Sequence, residues 1–275
     1  MYKRQIEYVQ TWGVQGRSEV WIGEQSGKTQ DRGEVVPATD CVVACASVAP
    51  KGNKKYVALT FDEGPSGATK QILQVLKEKG VTATFFLSGD AAEASPATAK
   101  AIVDAGCEIG SNSYSDDSLK GQDREAVREQ ITKGTDAIKS TTGVKTMLLR
   151  APYAAFDEQN WIDAMDLVSA VVSWNIDSGD WLLNGADEQV STVLDSVTPG
   201  NIVLLTDRDE CAEQTLEALP QIIDGLVADG YKIVTLSDLV KTDTSLSKKL
   251  TSLTKVAMPK DAVFPQLAED DDTTE

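Results

Sequence analysis

From Lys54 onward the chain alternates short runs of apolar or β-branched residues with longer amphipathic stretches. The runs are YVALTF (56–61), ATFFL (83–87), MLLR (147–150), AVVSWNI (170–176), NIVLLT (201–206) and YKIVTL (231–236). Runs of this length and composition, bounded by polar residues, read as buried strands. The stretches 68–80, 95–106, 124–140, 160–168, 186–197 and 212–230 have the length and apolar spacing of helices. Glycines stand where three of these helices should stop, namely Gly80 after KEK, Gly106 after VDA and Gly230 after VAD. Strands alternating with helices predict an α/β protein whose parallel sheet is open or closed into a barrel.

The ends of the chain follow a different pattern. In residues 1–53, EVWIG (19–23) alternates like a strand, GEQSGKTQDRGE (23–34) reads as polar loop, and CVVACASVA (41–49) is a short apolar run. This N-terminal extension is set apart from a regular domain over 54–241 and a polar acidic tail over 242–275. The tail ends in AEDDDTTE, and its like charges favour a solvated, disordered segment. The opening MYKRQ resembles the translation of a sequencing-adapter remnant, so the extension is expected to be the end of a truncated region. A signal peptide is absent from the sequence as it stands, and truncation would account for its loss.

Composition narrows the function. A net charge of −17, from 26 basic against 43 acidic residues, argues against nucleic acid, which requires basic surface to replace counterions. No apolar run is long enough to predict a membrane span. Cys41, Cys45, Cys107 and Cys211 lack the CxxC spacing of a zinc or redox site and read as small buried hydrophobes. Histidine, the usual acid–base residue at neutral pH, is missing altogether.

In either β/α architecture the carboxyl ends of the strands carry function. Polar clusters fall there: TFDEGP after YVAL, EIGSNSYSDD after the helix ending at Gly106, RAPY after MLL, DSGDW after VVSWNI, and TDRDE after NIVLL. Each alone reads as a turn or an extended X-Pro segment. Their joint placement on one rim points to a site.

These clusters resemble, in order, the motifs of the NodB-homology polysaccharide deacetylases, carbohydrate esterase family 4: TFDDGP, HSxxH or HTxxH, RxPY, DSxDW and LxHD. Here they stand as LTFDEGP (59–65), NSYSD (112–116), RAPY (150–153), DSGDW (177–181) and LLTD (204–207). The resemblance runs from about Tyr56 to Val240. It implies a distorted (β/α) barrel with fewer strands than the eight-fold form, plus the extra N-terminal segment. It also implies work on N-acetylated glycan, peptidoglycan or chitin-like, at an extracellular or cell-surface location. In the family a zinc-like divalent cation held by one carboxylate and two histidines activates water, an aspartate is the general base, and a histidine protonates the leaving amine.

Carried over residue by residue, the base falls on Asp62 and its partner on Arg150. The metal positions fall on Glu63, Asn112 and Asp116, and the acid on Thr206, with Asp177 as the residue that would orient it. Pro152, Tyr153 and Trp181 fall on the sugar-binding surface. Oxygen donors in place of imidazole remove the preference for zinc and leave at most weak magnesium or calcium binding. A threonine hydroxyl does not titrate near neutral pH. Asp62, beside Arg150, is expected to have a lowered pKa. Three readings follow: an inactive glycan-binding or scaffolding module; an altered N-deacetylase using a hard cation, with water or Asp207 as acid; and a structural domain that contacts another protein.

Overall fold

The computed structural model describes residues 48–243 other than 53, 157, 165, 166 and 169, together with strands at 2–11, 14–23 and 29–35. Those three strands, β1 (Tyr2–Thr11), β2 (Val14–Gly23) and β3 (Thr29–Val35), form an antiparallel sheet in sequence order. EVWIG lies in β2, but half of the polar stretch expected to be loop is β3. Pairing such as Trp21 with Gln30 uses backbone groups, so apolar alternation is not required for it. Cys41, Cys45, most of CVVACASVA and the acidic tail lie outside the described residues.

The larger sheet is parallel throughout. Its strands are β4 (Tyr56–Asp62), β5 (Thr84–Leu87), β6 (Glu108–Ser111), β7 (Leu148–Leu149), β8 (Ala170–Val171), β9 (Ile176–Asp177), β10 (Ile202–Thr206) and β11 (Lys232–Ile233). The order is β8-β7-β6-β5-β4-β10-β9, and β11 pairs with the start of β4. The expected barrel with fewer strands is thus a curled path of seven, with a two-residue eighth strand paired off the path to the start of β4. The helices are α1 (Thr69–Lys79), α2 (Gly89–Ala94), α3 (Pro96–Asp104), α4 (Arg124–Thr142), α5 (Glu158–Ala164), α6 (Ala186–Ser196), α7 (Ala212–Ala228) and α8 (Leu236–Lys241). Gly80, Gly106 and Gly230 all adopt positive φ, as helix-stopping glycines should. At the other kind of terminus, Asp123 caps α4 by accepting the Ala126 N–H at 2.9 Å.

Strand alternation explains where the core and the site lie. On β4, Val57, Leu59 and Phe61 pack with Phe85 and Leu87 beneath Ile72 and Leu76 of α1, Ile102 of α3 and Ile222 of α7. Phe61 and Phe85 stack with ring centroids 4.9 Å apart, a contact worth about 0.5–1.5 kcal/mol beyond its area. The intervening Thr60 and Asp62 face the other way, where polar groups meet. Gly110, on β6, gives Phe86 its space, since a Cβ there would lie 2.4 Å from the ring. Gly110→Ala should therefore lower stability by about 1–3 kcal/mol in urea denaturation, and an unchanged midpoint would contradict the packing.

One predicted strand is two. The run 170–176 supplies β8 at one edge of the sheet and β9 at the other. Val172 N–H still bonds to Leu149 O at 2.7 Å beside β7, whereas Asn175 N–H bonds to Ile202 O at 2.9 Å beside β10. The segment crosses the gap between the sheet edges, and a mostly apolar run of strand length does not reveal that bend.

Candidate functional site

Asp62 ends β4, and Arg150 follows β7. Arg150 is the largest fully buried side chain among the described residues. Its Nη1 donates to Asp62 Oδ1 and to Thr60 Oγ1, each at 2.7 Å. Nε and Nη2 reach the backbone oxygens of Val172 and Ser173 at 3.3 and 3.2 Å. The guanidinium lies 4.2 Å from the centroid of the Phe86 ring, a cation–π contact. Arg150 thus fastens Asp62 and the gap-crossing segment with one planar fork. The pair is formed, but the expected lowering of the Asp62 pKa is reversed. Burial raises the carboxyl to about 6; Arg150 opposes the shift, and Asp180 and Asp177 add to it.

Glu63 comes next on the chain, with a left-handed φ of 73°. Its carboxylate meets Arg208, whose Nε contacts Glu63 Oε2 and whose Nη2 donates to Asp116 Oδ2. Asp116 Oδ2 also accepts the Tyr153 hydroxyl at 2.7 Å. Four strand ends therefore converge through their loops, after β4, β6, β7 and β10. Burial lifts the Glu63 carboxyl to about 7 against the pull of Arg208, with Asp116 and Asp62 lifting it further. Asn112 is buried and donates Nδ2 to the Arg150 backbone oxygen at 2.8 Å. Its Oδ1, like Asp116 Oδ1, is buried without a hydrogen-bond partner, and Glu63 Oε2 meets Arg208 as an ion pair without a hydrogen bond.

At the end of β10, Thr206 is also buried. Its N–H and Oγ1 donate to Asp180 Oδ2 and Oδ1 at 2.6 and 2.8 Å, and Thr215 Oγ1 adds a third bond to Asp180 at 3.3 Å. The aspartate of DSGDW that meets position 206 is therefore Asp180, not Asp177. Asp177 Oδ1 instead accepts the Gly179 N–H at 3.0 Å and Trp181 Nε1 at 3.1 Å. A glycine-bent turn separates the two: Gly179 has φ 72°, and Asp180 begins a short 3-10 helix. Burial raises the Asp180 carboxyl, against the bonds from Thr206.

Asp207 points into the protein. Its two oxygens accept Ser66 Oγ and Thr69 Oγ1, each at 2.6 Å, fastening the loop before α1. A Cβ on Gly64 would lie 2.2 Å from Asp207 Oδ2, so glycine is required for this approach. With both oxygens committed and the side chain buried, Asp207 is poorly placed to serve as an acid toward a ligand.

Large apolar side chains are exposed on this rim as well. Tyr153 is 67% exposed, and Trp181 is 56% exposed and followed in the chain by exposed Leu182 and Leu183. Pro152, expected with them on the sugar-binding surface, is buried at the start of a 3-10 turn and offers no surface to a ligand. Sequence reasoning missed Asp180 and Arg208. Both sat in quoted clusters, DSGDW and TDRDE, but nothing local indicated where their side chains would reach.

A family model described as polysaccharide deacetylase matches residues 49–168. A peptidoglycan-N-acetylglucosamine deacetylase of Bacillus cereus is 33% identical over 217 residues, 78% of this chain and 79% of that protein. The chain belongs to the polysaccharide deacetylase family. Another member, a bifunctional xylanase/deacetylase of Pseudobutyrivibrio xylanivorans, is 38% identical over 68% of this chain, which spans only 31% of that protein's length. Among solved structures, a family 4 pseudoenzyme from Bacillus anthracis superposes with a TM-score of 0.64 at 31% identity, covering 70% of this chain and 69% of that one.

The family's zinc-like cation is a poor fit to the residues this member presents. Zinc favours imidazole and thiolate, and the three metal positions hold a glutamate, an amide and an aspartate. The two acidic positions already share a guanidinium. Among the described residues no group of three or more His, Cys, Asp or Glu side chains is arranged to hold a metal ion.

Proposed function

We propose that this polysaccharide deacetylase relative binds N-acetylated glycan, of peptidoglycan or chitin type, without deacetylating it. The observation that carries the reading is the bond from Thr206 Oγ1 to Asp180. Where the family chemistry calls for a group that protonates the leaving amine, this chain has a buried hydroxyl whose proton is already committed. An alcohol does not titrate near neutral pH, and the neighbouring Asp180 is buried and closed off by three hydrogen bonds. Asp62 is intact but held by Arg150, and the groups that would activate a water beside it are changed.

The open rim supports retention of a ligand. Trp181 is held by its Nε1 bond to Asp177 and Tyr153 by its hydroxyl bond to Asp116, so both rings are exposed yet fixed. A fixed aromatic face is a suitable platform for a pyranose, and its ordering entropy is already spent on folding. The names of relatives such as the Bacillus cereus deacetylase supply the ligand class, and the Bacillus anthracis pseudoenzyme shows that an inactive member of the family has been recognised. A peptidoglycan ligand implies work at the cell surface.

A second reading, weak magnesium or calcium binding with residual N-deacetylase activity, draws on the unpartnered Asn112 Oδ1 and Asp116 Oδ1. Titration calorimetry with N-acetylglucosamine oligomers and soluble peptidoglycan fragments, alongside an acetate-release assay with each cation, separates the readings. We expect weak binding, no acetate release, and about fivefold weaker binding by Trp181→Ala, from the loss of a contact worth about 1 kcal/mol. Acetate release that a chelator abolishes would favour the second reading. No heat at millimolar glycan would leave the protein-contact domain.

A further inference from the structure

We propose that Arg208 is a built-in replacement for the metal: a guanidinium that joins the carboxylates of Glu63 and Asp116 and excludes a divalent cation from them. The inference goes beyond glycan binding and does not depend on it. Glu63 and Asp116 stand 53 positions apart in sequence, and Arg208 lies 92 positions beyond Asp116. They meet only because the loops after β4, β6 and β10 converge on one rim.

Two carboxylates brought together with their side chains only 21% and 28% exposed repel each other unless a proton is retained or a positive charge lies between them. A divalent ion would supply it; here Arg208 does, with Nε on one carboxylate and Nη2 on the other. A guanidinium fork suits this bridging, because its donors are fixed in a plane and its charge persists across the pH range of proteins. Tyr153 adds a neutral donor to the same Asp116 oxygen. A divalent cation approaching these oxygens would meet a fixed positive charge and would have to displace it. The guanidinium keeps the rim assembled, yet as a hydrogen-bond donor it lacks the coordination chemistry by which a metal generates hydroxide.

The same geometry says what should follow when Arg208 is removed. Glu63 and Asp116, with Asp116 Oδ1 already unpartnered, would be hard oxygen donors without an internal cation, suited to calcium, magnesium or manganese rather than zinc.

The experiment is thermal unfolding of the full chain and of Arg208→Ala, in chelator and then with millimolar calcium, magnesium, manganese or zinc. The wild type should show no shift with any ion. Arg208→Ala should melt about 2–5 °C lower in chelator and recover a similar amount with a hard cation, reversibly on adding chelator. A wild-type shift as large as the variant's would overturn the proposal. So would an unchanged melting temperature for Arg208→Ala in chelator, or a loss of stability with no recovery by any ion, since Arg208 would then be at most an ordinary ion pair. Should Arg208→Ala fail to fold, Arg208→Gln takes its place, and titration calorimetry of the wild type decides independently: cation binding overturns the proposal, and thermal silence supports it. None of these samples contains glycan, so the outcome is separate from the test of glycan binding.

Discussion

Arg150→Met is expected to unfold at a much lower denaturant concentration than the parent, with a loss of about 3–5 kcal/mol. Methionine keeps most of the unbranched stem but not the guanidinium that lies over the Phe86 and Trp174 rings, so those cation–π contacts go with the charge. What disappears is the charge and the fork. Asp62 would remain buried without its cation, and Thr60 Oγ1, Val172 O and Ser173 O would each lose a donor. Removing one partner of a buried ion pair costs more than the pair itself contributes, because the remaining charge is left unsolvated. Arg150→Lys, which restores the charge without the fork, should fall between the two. Combining Asp62→Asn with Arg150→Met should recover part of the loss, since no ionised carboxylate then remains. Urea denaturation followed by tryptophan fluorescence measures all four proteins, and a parental midpoint for Arg150→Met would show that the guanidinium does not hold the site together.

Acidification from pH 8 to pH 5.5 should stabilise the protein, by about 3 kcal/mol from Asp62 and Glu63 together. The sign follows from the direction of the shifts. Asp62 rises from 3.8 to about 6 on folding and Glu63 from 4.5 to about 7, chiefly through burial. The folded state therefore binds more protons than the unfolded state between about pH 4 and pH 7, and stability falls as pH rises through that window. The penalty is absent below the unfolded values and complete above the folded ones. Glu63 supplies most of the change above pH 5.5 because its folded value is the higher. Glu63→Gln removes that titration and should flatten the profile. Melting temperatures across the range provide the readout; a wild type more stable at pH 8 than at pH 5.5, or a Glu63→Gln profile as steep as the parent's, would contradict the burial of these carboxyls. Arg150→Met ties the two expectations together. With its cation gone, Asp62 should be still harder to ionise, and the variant's deficit should be largest at pH 8.

Much of this protein is written locally. Helix periodicity and stop glycines mark α1, α3, α4 and α7, because a helix is held by contacts three and four residues apart that the chain itself spaces. The apolar runs give β4, β5 and β10. The alternation of these elements leads to the parallel sheet, and that sheet gathers the polar clusters on one rim. The motif residues carry the family, and the missing histidines bear on its chemistry before any coordinates are considered.

Other features depend on which chain segments meet. The run 170–176 reads as one strand because apolar and β-branched side chains dominate it, with only Ser173 and Asn175 polar; only sheet order assigns its two ends to opposite edges. β6 is short and ends in polar residues, so its place between β5 and β7 comes from backbone pairing that side-chain pattern does not encode. Pro152 and Tyr153 are adjacent in sequence, and only the turn decides that one is buried and the other exposed. Asp177 and Asp180 are chemically equivalent in the sequence, and the bend at Gly179 decides which one meets Thr206. The sign of the Asp62 shift depends on depth of burial, which competes with a neighbouring charge that the sequence does reveal. Arg208 belongs to the same class. Its charge is plain in the sequence, but a flexible side chain has no address until the fold brings Glu63 and Asp116 within its reach.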